Sequence, residues 1–289
     1  MGGPEGGDLM REIGYDRIRD AVQRLWVEAN TVLGEDVRAA LAQAAQTEGS
    51  PLGRELLEKV LESDQLAWTQ GLPICQDAGM AEVTIRLGQE VHITGGFLGD
   101  AVNEGLRRGQ AEAHLRGSMV SDPLERMETG DNCPARLQVE LIAGDGFGIT
   151  VAAAGFQGEN ATVLRMLPPL SSPKAVVETA VQAVKAAGTT PCPPFLVGVG
   201  LGGTAQGAVE LSKQALRLPV GESSPAPEYA ALEQELTEAL NSLGIGPQGL
   251  GGTTTVLGVH VLAAPTHVGC LPCAVSLEGC LLRRAWDVL

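Results

Sequence analysis

At 289 residues, with 44% hydrophobic and only 3% aromatic side chains, the chain can bury a substantial core built mainly from Ala, Gly, Val and Leu. A formal net charge of −15 repels nucleic acid and anionic membrane surfaces, so neither is expected as a partner, although a small anionic ligand held by local arginines is compatible with it. No apolar run reaches the roughly 18 to 20 residues of a membrane span, and the Gly- and acid-rich terminus lacks a signal peptide's basic and apolar regions. A cytoplasmic chain is therefore expected, its six cysteines serving metal binding or catalysis rather than disulfides.

Helices come first. Leu9 to Leu33 carries Ile13, Ile18, Val22, Leu25 and Ala29 at helical spacing; Asp36 to Gln46 continues with Val37, Leu41 and Ala44; a third helix runs from Pro51, a first-turn proline, to about Thr69. These stripes read as a helical cap without chemistry. Texture changes at Gly71-Leu72-Pro73-Ile74-Cys75-Gln76-Asp77-Ala78-Gly79, a loop that offers a thiol, an amide and a carboxylate together. Glu82 to Leu87 and Glu90 to Thr94 alternate as strands do, and Ala101 to Arg116 reads as a helix. Gln138 to Ala143 and Phe147 to Ala152 look like a strand pair joined at Gly144-Asp145-Gly146.

Ala154 to Asn160 is a glycine-rich loop, and Ser172-Pro173 opens a helix that Gly188 stops. Next comes Cys192, boxed by Pro191, Pro193 and Pro194 on a stiff extended mount, followed by the buried strand Phe195 to Val197 and a glycine-rich turn from Gly198 to Gly203. A helix from Ala205 to Leu216, a Pro-rich link from Pro219 to Pro227 and a helix from Tyr229 to Leu243 follow. Gly244 to Thr255 is so rich in glycine that it must be a series of tight turns or backbone wrapped around something. A strand from Val256 to Ala263 leads to His267, Cys270, Cys273, Cys280, Arg283 and Arg284.

Three readings of these parts compete. Gly198-Val199-Gly200-Leu201-Gly202-Gly203 satisfies the dinucleotide pattern GxGxxG, with Glu222 downstream, but Glu222 sits in the Pro-rich link rather than at a strand end. His267, Cys270, Cys273 and Cys280 have the spacing of a closed structural zinc site, which leaves Cys75 and Cys192 without purpose. The third reading joins Cys75, Cys192 and Cys280 as ligands of one iron–sulfur cluster.

The segments Leu72 to Asp77, Pro191 to Gly203, Gly244 to Gly252, and Cys280 with Arg283-Arg284 together resemble, in order and over nearly the whole chain, the α subunit of two-subunit, iron–sulfur class I fumarase and L-tartrate dehydratase. The resemblance implies a single 1–289 domain, helical over 1–70 and α/β over 71–289. Its fold class would be mixed α/β, a helical N-terminal region on a largely antiparallel sheet, with glycine- and proline-rich loops holding the cluster. It implies a [4Fe–4S] cluster on Cys75, Cys192 and Cys280 with one open iron, substrate binding by Gln76, Arg116 and Gly158, and orientation or proton relay by Asp77 and His267. The function it implies is a hydro-lyase acting on a small dicarboxylate, (S)-malate to fumarate or the L-tartrate relative, together with a β subunit, in an α2β2 assembly. A zinc- or cluster-stabilised binding subunit without catalysis is the non-enzymatic alternative. The chain departs from the family pattern at Ala78, at Glu128 and over Ala154 to Asn160, where a Lys-Gly-Gly-Gly-Ser-Glu-Asn loop is usual; Cys133, Cys270 and Cys273 read as small buried hydrophobes.

Overall fold

The computed structural model describes residues 10–289; Leu9, at the expected start of the first helix, and the Gly- and acid-rich terminus lie outside the described residues. In chain order the elements are β1 (Arg11–Gly14), α1 (Tyr15–Thr31), α2 (Glu35–Thr47), α3 (Pro51–Gln70), β2 (Met80–Gly88), β3 (Val91–Thr94) and α4 (Leu98–Glu112). Then come β4 (Arg136–Ile142), β5 (Phe147–Ala154), α5 (Phe156–Asn160), β6 (Val163–Leu167), α6 (Pro173–Ala187), β7 (Phe195–Gly202) and α7 (Ala205–Ala215). The chain closes with α8 (Pro227–Asn241), a 3₁₀ turn (Pro247–Gly249), β8 (Val256–Ala264), β9 (Leu271–Glu278) and β10 (Arg284–Val288). It divides into two compact units, and the mixed α/β class expected from the sequence is the one observed in each.

The first unit comprises residues up to Val32, Gln70–Ala154 and Arg283–Leu289. Its four-stranded sheet has the order β10-β5-β2-β4, antiparallel except for the β2–β4 pair. Ile18, Val22, Leu25 and Ala29 recur at helical spacing on α1, and with Val102 and Leu106 of α4 they bury against Val83, Ile85, Ile149 and Val151 of the sheet. The first helix begins at Tyr15 rather than earlier because Arg11–Gly14 pairs in parallel with β3, Ile13 opposite Ile93. The expected β4–β5 hairpin is not formed. Both strands flank β2, with Leu137 and Val151 on either side of Val83, and the Gly144–Gly146 turn carries the chain over the end of β2, where Gly88 donates to the Gly146 carbonyl at 2.7 Å. Helix α4 ends at Glu112, so Arg116 lies in the following loop.

The second unit, Leu33–Thr69 with Gly155–Leu282, is built on the sheet β6-β9-β7-β8, antiparallel except for β7–β8. Strand β7 is buried along its whole length. Its sequence alternates large with small: Phe195, Val197, Val199 and Leu201 join the core with α6 and α8, while Gly198 and Gly200 face α7. A Cβ on Gly200 would stand 2.0 Å from the Ala208 carbonyl oxygen, and one on Gly198 2.1 Å from that of Ser212. Gly198, Gly200 and Gly202, read as part of a turn, are therefore strand residues, and the first two let a helix lie directly on the sheet, which removes the dinucleotide reading. Gly200→Ala should force α7 away and destabilise the fold by about 3 kcal/mol, the upper part of the usual overpacking range, measurable by denaturant unfolding.

Candidate active site

In the first unit the Gly71–Gly79 loop is pinned on both sides of its crest. The Ile74 N–H donates to the Asn30 carbonyl at 2.9 Å, and the buried Arg283 guanidinium donates to the Asn30 side-chain oxygen at 3.1 Å and to the Asp77 carbonyl. The Asp77 carboxylate accepts from the Gly79 N–H at 3.0 Å and from the Ser118 hydroxyl at 3.1 Å. Between these anchors Cys75 is half-buried and Gln76 exposed. Arg116 is exposed, and its backbone is held by Asn132, which donates to the Arg116 carbonyl at 2.9 Å and accepts from the Ser118 N–H at 2.7 Å. Through Ser118 the loops carrying Asp77 and Arg116 thus meet. Sequence reasoning missed Asn30, Ser118 and Asn132 in these roles, because each acts through a residue far along the chain.

In the second unit the Cys280 N–H donates to the Cys192 carbonyl at 3.2 Å, so two of the expected ligands sit on hydrogen-bonded backbones. Cys280 is buried and Cys192 half-buried, with φ of +56° in the left-handed region. Each thiol has a carboxamide at hand: Gln157 Oε1 lies 3.8 Å from the Cys192 Sγ, and Gln248 Nε2 lies 4.0 Å from the Cys280 Sγ. Gly158, next to Gln157 on α5, is buried, and a Cβ there would stand 2.5 Å from the Leu277 carbonyl oxygen, so packing alone demands glycine. His267 is exposed on the turn between β8 and β9, its Nδ1 accepting from the Gly269 N–H at 3.1 Å. That ring nitrogen is thus engaged by its own turn.

The remaining thiols differ in kind. Cys273 is fully buried in β9 opposite Leu201, Cys133 is buried in the first unit's core, and burial pushes both thiols up to about 11. Both pack as small hydrophobes; Cys270 is only half-buried. With Cys273 inside the core, the zinc reading of the His267–Cys280 stretch loses a ligand.

The glycine-dense Gly244–Thr255 segment wraps around a carboxylate. Glu48, at the corner between α2 and α3 and 1% exposed, accepts the N–H groups of Ser50, Thr253 and Thr254, each at 2.8 Å. Burial pushes its carboxyl up, but these hydrogen bonds outweigh burial and hold it down at about 2. A depressed carboxyl stabilises the fold above its unfolded value of about 4.3 and stops doing so as pH falls through the folded value. Stability should therefore decline between about pH 4.5 and pH 2, and Glu48→Gln should cost about 2 to 3 kcal/mol at neutral pH while flattening that decline, read by unfolding at a series of pH values.

Among the described residues no three His, Cys, Asp or Glu side chains converge as a group that could hold a metal ion. Thiolates on a cluster grip different irons, so they need not meet around one point, and two thiols on hydrogen-bonded backbones are compatible with that chemistry. Residues 19–288 match the model of the family described as fumarate hydratase (Fumerase). Among relatives, the chain is 34% identical over 275 residues to the Methanocaldococcus jannaschii protein named "Putative L(+)-tartrate dehydratase subunit alpha", covering 93% of this chain and 96% of that protein. It is 29% identical over 278 residues to the L(+)-tartrate dehydratase subunit alpha of Escherichia coli O157:H7, covering 95% and 91% respectively, and 29% identical over 290 residues to that of Escherichia coli strain K12, also covering 95% and 91%. The chain belongs to the fumarate hydratase (Fumerase) family, as a chain of the alpha-subunit type.

Proposed function

We propose that this chain is the cluster-bearing subunit of an iron–sulfur hydro-lyase that reversibly removes water from a 2-hydroxy dicarboxylate, (S)-malate to fumarate. The observation that carries the reading is the Cys192–Cys280 pair, hydrogen-bonded backbone to backbone, inside a family match that spans residues 19–288. Cys75, Cys192 and Cys280 would hold a [4Fe–4S] cluster whose open iron supplies a Lewis acid for the departing hydroxyl.

The chain's own residues bind and orient. Gln76, on the crest of its loop, donates an amide N–H to a substrate carboxylate, and exposed Arg116 grips a carboxylate with its planar fork. Asp77 is fixed by the Gly79 N–H and the Ser118 hydroxyl, which orients its carboxylate for proton exchange. Because His267 Nδ1 accepts a hydrogen bond, the neutral ring carries its proton on Nε2 and donates from there. Gly158, in the first turn of α5, would meet the substrate through its backbone N–H.

The chain acts with a β subunit, in an α2β2 assembly, in the cytoplasm. The relatives' subunit names support a partner. No helix among the described residues is long and apolar enough to cross a membrane. The L(+)-tartrate names of the relatives favour a second reading, in which the hydroxy acid is L-tartrate. Offering (S)-malate and L-tartrate separately to the cluster-loaded chain with its β subunit, and following fumarate and oxaloacetate, distinguishes them. Fumarate from malate supports the first reading and oxaloacetate from tartrate the second; water loss from neither overturns both.

A further inference from the structure

Two residues that are not glycine take up left-handed backbone on facing loops of the second unit, Cys192 with φ of +56° and Gln248 with φ of +53°. That conformation costs a residue with a side chain about 1 kcal/mol or more, and such outliers persist where the surroundings impose them. At Gln248 the imposition is visible. Its backbone N–H donates to the Pro193 carbonyl at 2.8 Å and its side-chain nitrogen to the same carbonyl at 3.2 Å. An amide nitrogen has two hydrogens, and the other lies toward the Cys280 sulfur, 4.0 Å away. Glycine would fill this position in Gly244–Gly252 without strain, so what glutamine adds is the carboxamide.

Gln157 brings the opposite end of a carboxamide to the second sulfur. Its carbonyl oxygen lies 3.8 Å from the Cys192 Sγ and, with the Thr190 carbonyl oxygen at the same distance, is one of two acceptors in reach of that thiol's single S–H. Once Cys192 is a thiolate that contact sets oxygen against anion, and a half-turn of the carboxamide presents its N–H₂ instead. Gln157 also stands in the segment where this chain departs from the family's glycine-rich loop.

We propose that Gln248 and Gln157 are positioning residues whose carboxamide N–H groups donate to the Cys280 and Cys192 thiolates and protect the group they hold against oxidation. The inference rests on the reading of these two cysteines as cluster ligands. N–H donors draw charge off ligand sulfurs, one of the levers that set a cluster's reduction potential, and loss of an outer-shell partner of a metal site typically costs ten- to a hundredfold.

The test uses the full chain, loaded anaerobically with ferrous iron and sulfide and then exposed to air-saturated buffer while its visible absorbance decays. Gln248→Leu and Gln157→Leu should each lose absorbance about tenfold faster than the parent, whereas Gln65→Leu on the exposed face of α3 should not. Gln248→Glu, which keeps shape but has no N–H, and Gln248→Asn, which tolerates left-handed backbone but falls short of the sulfur, should behave as Gln248→Leu does and guard against simple misfolding. Iron–sulfur stretching frequencies, read by resonance Raman spectroscopy, should shift in the Gln248 and Gln157 variants alone. Wild-type decay rates and frequencies in these variants would overturn the inference while leaving the cluster reading intact; failure of the parent chain to take up iron and sulfide would remove both.

Discussion

Serine at Cys75, Cys192 or Cys280 should leave a protein that folds but holds no iron–sulfur cluster, with its broad visible absorbance gone and its hydro-lyase activity lost entirely. Serine replaces the sulfur by a smaller oxygen that stays protonated at neutral pH, a change the fold tolerates and a cluster ligand does not. The other buried cysteines supply the contrast. Cys273→Ser sets a hydroxyl among Val275, Leu277 and Val199 in a core with no exposure, and should cost about 1 to 3 kcal/mol of stability while keeping the cluster. Cys133→Ser should likewise keep it. Absorbance and unfolding measured on the same five variants separate the two classes: a cluster that survives in Cys192→Ser or Cys280→Ser, or one that is lost in Cys273→Ser, contradicts the assignment.

The second large effect concerns the partner. The chain alone, loaded with its cluster, should bind a dicarboxylate weakly through Gln76 and Arg116 and turn over none, and adding the β subunit should raise the rate from undetectable to the ordinary enzyme range of about 1 to 1000 per second. Removing a proton alpha to a carboxylate demands a positioned base and cations on the charge that develops. Of the lysines, Lys59 and Lys213 are engaged in ion pairs with Glu62 and Glu159, and Lys174 and Lys185 lie on α6. Rapid mixing of chain and partner with substrate reads the effect, and full turnover by the single chain would remove the need for a second subunit.

What the sequence made legible follows from how local each signal is. Helix α6 was readable end to end because Ser172-Pro173 and Gly188 punctuate an apolar stripe within sixteen residues of one another. The four-residue strand β1 was hidden because its partner β3 lies some eighty residues away and its Ile13 falls in step with the helix behind it. The β4–β5 hairpin was a reasonable local inference defeated by β2, which takes the place between them and satisfies both ladders. The glycines of β7 were visible as a pattern, but whether they serve a phosphate or a helix depends on α7, whose backbone comes within 2.0 Å of an added Cβ.

The site divides in the same way. Cys75, Cys192 and Cys280 stand out because proline, amide and arginine neighbours mark them along the chain. Gln157 and Gln248 do not, since their sulfurs lie 35 and 32 residues away and only the folded loops bring them near. Glu48 is the extreme case. Nothing near it in sequence announces that Thr253 and Thr254 close on it from 205 and 206 residues away, yet that carboxylate fixes the loop that carries Gln248.

The central claim is that this chain carries a cluster, and the most direct measurement is the iron and acid-labile sulfide content of the anaerobically purified protein, with its absorption spectrum. The account predicts about four irons and about four sulfides per chain, with visible absorbance that bleaches in air. Zinc in place of iron, or iron without sulfide, would contradict it.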